Sequence, residues 1–197
     1  MDVAVDGPWS PWRLSQVVER FSTAPFRYWI SGGHALELWA GRSWRAHGDI
    51  DVGLLRSDID AALPLLPELH LYVAAAGGLA RFEGQRLLGE LHRNNVWAFD
   101  PATSRWVLDL TLGDGDDLTW VYRRDQTLQR AWPEAVLTSP QGIPYLAPEL
   151  QLLFKSRNPR AKDNIDARET LPLLDAEQRA FLFERLPAEH PWRSLAV

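Results

Sequence analysis

Cysteine is absent from this chain, methionine occurs only at position 1, and lysine occurs twice among 197 residues. Without cysteine there is no disulfide scaffold, no thiolate zinc site and no cysteine nucleophile. No apolar run approaches the roughly 20 residues that span a bilayer. Residues 1–11 carry two acids and no basic residue, unlike a secretory signal. These absences lead to the expectation of a cytoplasmic protein with no membrane attachment. An excess of positive charge is also missing: the formal net charge is -5, so nucleic acid is not an expected partner. The hydrophobic fraction of 46% is ordinary for a globular protein, and the length suffices for a substantial core.

Periodicity predicts helices over residues 12–23, 34–40 and, behind a Ser57-Asp58 cap, to about 65. Strands are predicted over 26–30, 50–55, 69–75, 80–83, 96–99, 106–112 and 118–122. Gly77-Gly78, Asp100-Pro101 and Gly113-Asp114-Gly115 read as turns. After Pro148 the pattern becomes helical, over 149–156, 163–171 and 176–186. The order gives an α/β (α+β) fold. Its core covers residues 1–145, and a C-terminal helical segment, 146–197, packs on that core.

Chemistry concentrates at Ser31-Gly32-Gly33 and, one helix later, at Asp49-Ile50-Asp51. A strand that turns through two glycines into a helix presents N–H groups to anions, and it lets a phosphate approach the backbone. Taken alone, a Gly-Gly pair is more often a simple turn. Residues i and i+2 of a strand share a face, so Asp49 and Asp51 are expected to project together, with no obvious cationic neighbour. Two adjacent carboxylates need a proton or a cation between them, and hard oxygen ligands suit Mg²⁺. Asp109 is a third acid, set inside an otherwise apolar strand where an unpaired carboxylate is expensive. Asp114, Asp116 and Asp117 read as solvated loop acids. With no cysteine and few clustered histidines, zinc is not expected.

The run Ser31-Gly32-Gly33-His34-Ala35 through Gly41-Arg42, then Arg45-x-His47-x-Asp49-Ile50-Asp51, resembles the core of the nucleotidyltransferase superfamily. Within it, the resemblance is to small antibiotic enzymes of the aminoglycoside 2″-adenylyltransferase and lincosamide type. It implies the minimal nucleotidyltransferase fold, a mixed sheet flanked by helices, with Mg²⁺ and an NTP donor, ATP by preference. Asp49 and Asp51 would hold the metal. Asp109 would be a further ligand or the base for an acceptor hydroxyl. Ser31, Gly32 and Gly33 would hold the triphosphate, and Lys155, from the helix after the sheet, would reach it.

Arg45 and His47 orient the loop before Asp49, contact phosphate, or cap structure. A positioning role is favoured for both, and Arg45 stays among the candidate nucleotide contacts. Two positions depart from the family pattern: His34 replaces a tryptophan, and Gly48 a larger polar residue. The implied activity is transfer of a nucleoside monophosphate to a hydroxyl of a small molecule, such as an aminoglycoside- or lincosamide-like antibiotic. The alternatives are a protein or tRNA acceptor, as in toxin-type members, and a non-catalytic NTP-binding domain. Tryptophans 39, 44, 97, 106 and 120 are candidate acceptor walls, although core packing is their commoner use.

Overall fold

A computed structural model describes residues 7–75, 78–82, 84 and 93–195; Gly77 of the expected glycine turn and Glu83 of the fourth expected strand lie outside them. The first half of the chain runs α1 (Leu14–Phe21), β1 (Tyr28–Ile30), α2 (Gly32–Ala40), β2 (Asp51–Leu55), α3 (Ile59–Ala62), β3 (His70–Ala75) and β4 (Gly78–Arg81). It continues with β5 (Asn95–Asp100), β6 (Arg105–Gly115), β7 (Thr119–Val121), β8 (Gln129–Ala131), α4 (Trp132–Ala135), β9 (Val136–Thr138) and β10 (Pro144–Leu146). Then follow α5 (Pro148–Lys155), α6 (Ala161–Thr170) and α7 (Ala176–Arg185). Among the described residues no helix is long and apolar enough to cross a membrane.

The strands form one mixed sheet in the order β4-β3-β5-β6-β2-β1-β10-β9, with β7 and β8 attached beyond β6. Two of its pairings are parallel, β2 with β6 and β1 with β10. The expected α/β class, a mixed sheet flanked by helices, is therefore what the chain adopts. Strand alternation decides what the centre of the sheet presents. Val52 and Leu54 of β2, with Leu108, Leu110 and Leu112 of β6, enter an apolar cluster closed by Val17 and Phe21 of α1. The opposite face of the same two strands carries Asp51, Gly53, Asp109 and Gly113. There the Trp29 ring packs on both glycines, and an added Cβ at Gly53 would overlap the indole. Trp29 opens a second cluster with Leu36 of α2, Leu150 and Leu152 of α5, Ala167 of α6 and Leu182 of α7.

Three expectations are corrected. Gly113-Asp114-Gly115 is not a turn, because β6 runs through Gly115 and Gly113 is small to admit Trp29. Asp114 is accordingly no solvated loop acid, since its Oδ1 accepts from Nε of the buried Arg56 at 3.1 Å. The helix expected to reach residue 65 shrinks to four residues, and a 3₁₀ turn holding Pro64 follows it. The elements β8, α4, β9 and β10 had no counterpart in the sequence pattern.

Candidate active site

Backbone register brings two of the acids together. Asp51 and Asp109 are Cα partners across the parallel β2–β6 ladder, and the Asp109 N–H donates to the Ile50 carbonyl at 3.0 Å. Asp49 stands at the mouth of the strand, in the loop two residues before β2 begins at Asp51. It still reaches the same chamber, a cavity of about 420 Å³ lined by Asp49, Asp51 and Asp109 with Asn95, Trp97 and Trp9. Trp9 gets there because residues 8–12 bond along β6, with the Ser10 N–H donating to the Trp106 carbonyl at 2.9 Å. Asp49 also has a cationic neighbour the sequence did not suggest: Lys162 Nζ lies 3.2 Å from its Oδ2.

Asp109 accepts from Asn95 Nδ2 at 2.9 and 3.1 Å and from Trp97 Nε1 at 3.1 Å, both on β5. Burial, then the neighbouring Asp51 charge, nevertheless push its carboxyl up to about 8. Burial and Asp49 raise Asp51 to about 6 against the pull of Lys155, Lys162 and Arg160. Each raised carboxyl marks a place where a cation would be favoured. Three carboxylates converging without sulfur or imidazole fit a hard divalent cation such as Mg²⁺.

The glycines make room for this chain's own side chains. Gly32 has φ +70°, and a Cβ there would overlap Asp51 Oδ2. A Cβ at Gly33 would overlap the Arg45 guanidinium. Part of the expected phosphate cradle is already engaged. The Ser31 N–H donates to the Asp51 carbonyl and the Gly32 N–H to Gln151 Oε1, both at 2.9 Å. The N–H groups of Gly33 and His34 remain, which a first helical turn cannot satisfy internally.

Behind the acids lies a knot of paired charge. Arg45 donates to both oxygens of Asp166, Nε at 2.7 Å and Nη2 at 2.9 Å, and Trp44 Nε1 adds a bond at 2.9 Å. Lys155 Nζ bridges Asp163 at 2.9 Å and Asp166 at 3.0 Å, while Arg160 Nε holds Asp163 at 2.8 Å. Arg45 thus sits where a positioning residue would, and Lys155 keeps one of its three ammonium donors for another partner.

Sequence reasoning missed Arg123. It lines the acid chamber and a second cavity of about 390 Å³, and among the described residues no acid pairs with it. Burial and the adjacent Arg124 hold its guanidinium below the usual arginine range. The available signal was an arginine pair directly after a strand. The second cavity shares Asp51, Lys155 and Arg160 with the first and adds Ser31, Phe154 and Trp120.

The profile of the aminoglycoside-2″-adenylyltransferase family matches residues 13–169. No curated protein matches. Among solved structures, the lincomycin-bound lincosamide antibiotic adenylyltransferase LnuA is 16% identical with a TM-score of 0.58, over 85% of this chain and 100% of that one. ANT(2″)-Ia in complex with adenylyl-2″-tobramycin is 14% identical with a TM-score of 0.56, over 87% of this chain and 95% of that one. These structural likenesses are of fold.

Proposed function

Because the chain belongs to the aminoglycoside-2″-adenylyltransferase family and is a nucleotidyltransferase, we propose that its cleft transfers AMP from ATP, with Mg²⁺, to a hydroxyl of an antibiotic-like small molecule. The observation that carries this is the Asp51–Asp109 pair in the acid chamber, neither of which forms an ion pair among the described residues. Asp49 and Asp51 would hold the metal, with Asp109 beside them. Bound there, Mg²⁺ would offset charge on the triphosphate and on the departing pyrophosphate.

The residues around the acids divide the work. Arg123, the third N–H of Lys155 and the Gly33 N–H are the triphosphate contacts at the cleft, and Phe154 and Trp120 offer the nucleotide an aromatic wall. The acid chamber, with the indoles of Trp9 and Trp97, suits an acceptor that carries hydroxyls and amines. Asp109 takes the hydroxyl proton if it stays off the metal, with Asn95 and Trp97 fixing the direction of its oxygens. ATP and Mg²⁺ are cytoplasmic reagents, which is the location we assign.

Labelled ATP and Mg²⁺, incubated with aminoglycosides, a lincosamide, tRNA and the protein itself, test the reading. A labelled antibiotic adduct with pyrophosphate release is the expected result. Label on tRNA or protein alone would move the acceptor to the other branch of the superfamily. Absence of label from every acceptor, with ATP bound, would leave a nucleotide-binding domain.

A further inference from the structure

We infer that His34, Glu37 and His47 form a second metal site, for a borderline transition ion such as Zn²⁺, separate from the three-acid cleft. His34 and Glu37 lie three residues apart on α2 and so share one helical face. The loop that leads back to β2 lays His47 against them. One ligand atom from each of the three residues lies within 4.8 Å of the others. The two imidazoles stack with centroids 3.9 Å apart and planes at 27°.

An independent feature points to a ligand. The His47 side chain is 8% exposed, and its Nε2 is 3.1 Å from Glu37 Oε1. That nitrogen nonetheless has no hydrogen-bond partner. A buried polar nitrogen in this state is costly. It is aimed at a carboxylate oxygen that already accepts the Trp44 N–H at 3.0 Å. Two imidazole nitrogens and one carboxylate oxygen make a familiar zinc donor set, with water to complete the tetrahedron. Metal bonds of about 2.0–2.2 Å would need the His34 ring to swing out of its stack on His47, so that one nitrogen of each ring turns towards the Glu37 carboxylate. His34 remains partly exposed, so an ion can enter. The absent Cβ of Gly33 leaves room for the His47 ring, which it would otherwise strike. Folding brings together His34 and His47, thirteen positions apart in the sequence, and it is this proximity that argues for a site where the sequence pattern suggested none. The ion would clamp the loop before Asp49 to α2.

Co²⁺ is the probe, titrated into metal-free protein with excess Mg²⁺ present to occupy hard oxygen sites. The expected result is one bound Co²⁺ with visible ligand-field absorption, displaced by Zn²⁺. His34→Phe keeps the ring stack and removes a ligand nitrogen, while Glu37→Gln keeps a carbonyl acceptor. Each should weaken Co²⁺ binding at least about tenfold, on protein shown to be folded by circular dichroism. Asp49→Asn should leave the absorption unchanged. Zn²⁺ should also raise the Tm of the wild-type protein and not that of His34→Phe. No visible band, a band retained by both ligand variants, or a band lost with Asp49→Asn would overturn the assignment. None of these readouts depends on nucleotidyl transfer.

Discussion

Two pairs of aspartates lie in and behind the same cleft, and their environments have opposite effects. Asp51 and Asp109 stand on adjacent strands with too little positive charge nearby, and both carboxyls titrate above the usual range. Asp163 and Asp166, one helical turn apart on α6, are enclosed by Arg45, Lys155 and Arg160. Burial works to raise both, yet their hydrogen bonds to these cations hold them below the usual range. Burial alone does not separate a functional acid from a structural one. The separation lies in whether the chain supplies the countercharge itself.

The sharpest way to break this contrast is to neutralise one member of each pair. Asp51→Asn should lower adenylyl transfer about a thousandfold or more, the several kcal/mol a bound cation contributes to such a transition state. It should not lower the Tm, because the change relieves repulsion. Asp109→Asn should follow, at ~10²–10⁴-fold in the chemical rate if it is the base. ATP affinity, measured separately, should then be preserved, whereas a ligand role would lower both together.

Asp166→Ala should behave in the reverse sense. Removing the buried partner of an ion pair costs about 3–5 kcal/mol, which denaturant unfolding would register. Residual folded enzyme should keep its intact acids. If Asp51→Asn and Asp166→Ala destabilised equally, the division between the two pairs would be lost.

Proton linkage sharpens the same comparison with smaller effects. Asp109, at about 8 without a cation, should release a proton on Mg²⁺ binding near neutral pH. Calorimetry in buffers of different ionisation enthalpy would detect it. Against burial, hydrogen bonds from Arg45 and the nearby Lys155 charge hold Asp166 at about 2 in the folded state, below the usual aspartate value of 3.8. A depressed folded value means its stabilisation is complete above the unfolded pKa and fades as pH falls from about 4 towards 2. Asp166→Asn should flatten that part of the stability curve.

The strands and helices that position the site were largely legible, because β2, β6 and α2 are long or apolar enough to show their period. The strands β8, β9 and β10 have three residues each, too few for alternation to register, and β10 begins with a proline. The three acids stood out as charges in apolar surroundings. Their countercharges did not, since Lys162 meets Asp49 across 113 positions of sequence. The glycine pair was noticeable, but the side chains it accommodates come from Asp51, Arg45 and His47 and could not be read from spacing. Asp163 and Asp166 carried an unused signal in their i, i+3 placement on a predicted helix, eight and eleven residues after Lys155.

The ties that complete the cleft also bear on the order in which the molecule assembles. Gly32 bonds to Gln151 across 119 residues, and Arg45 to Asp166 across 121. Such distant closures are slow, because much chain entropy is lost before the contact forms. During synthesis the strands bearing Asp51 and Asp109 leave the ribosome well before α5 and α6 exist. A nascent chain that ends before Gln151 has Arg45 without its carboxylate and Gly32 without its amide partner. The cleft is therefore a late product of folding, closed only once α5 and α6 have emerged.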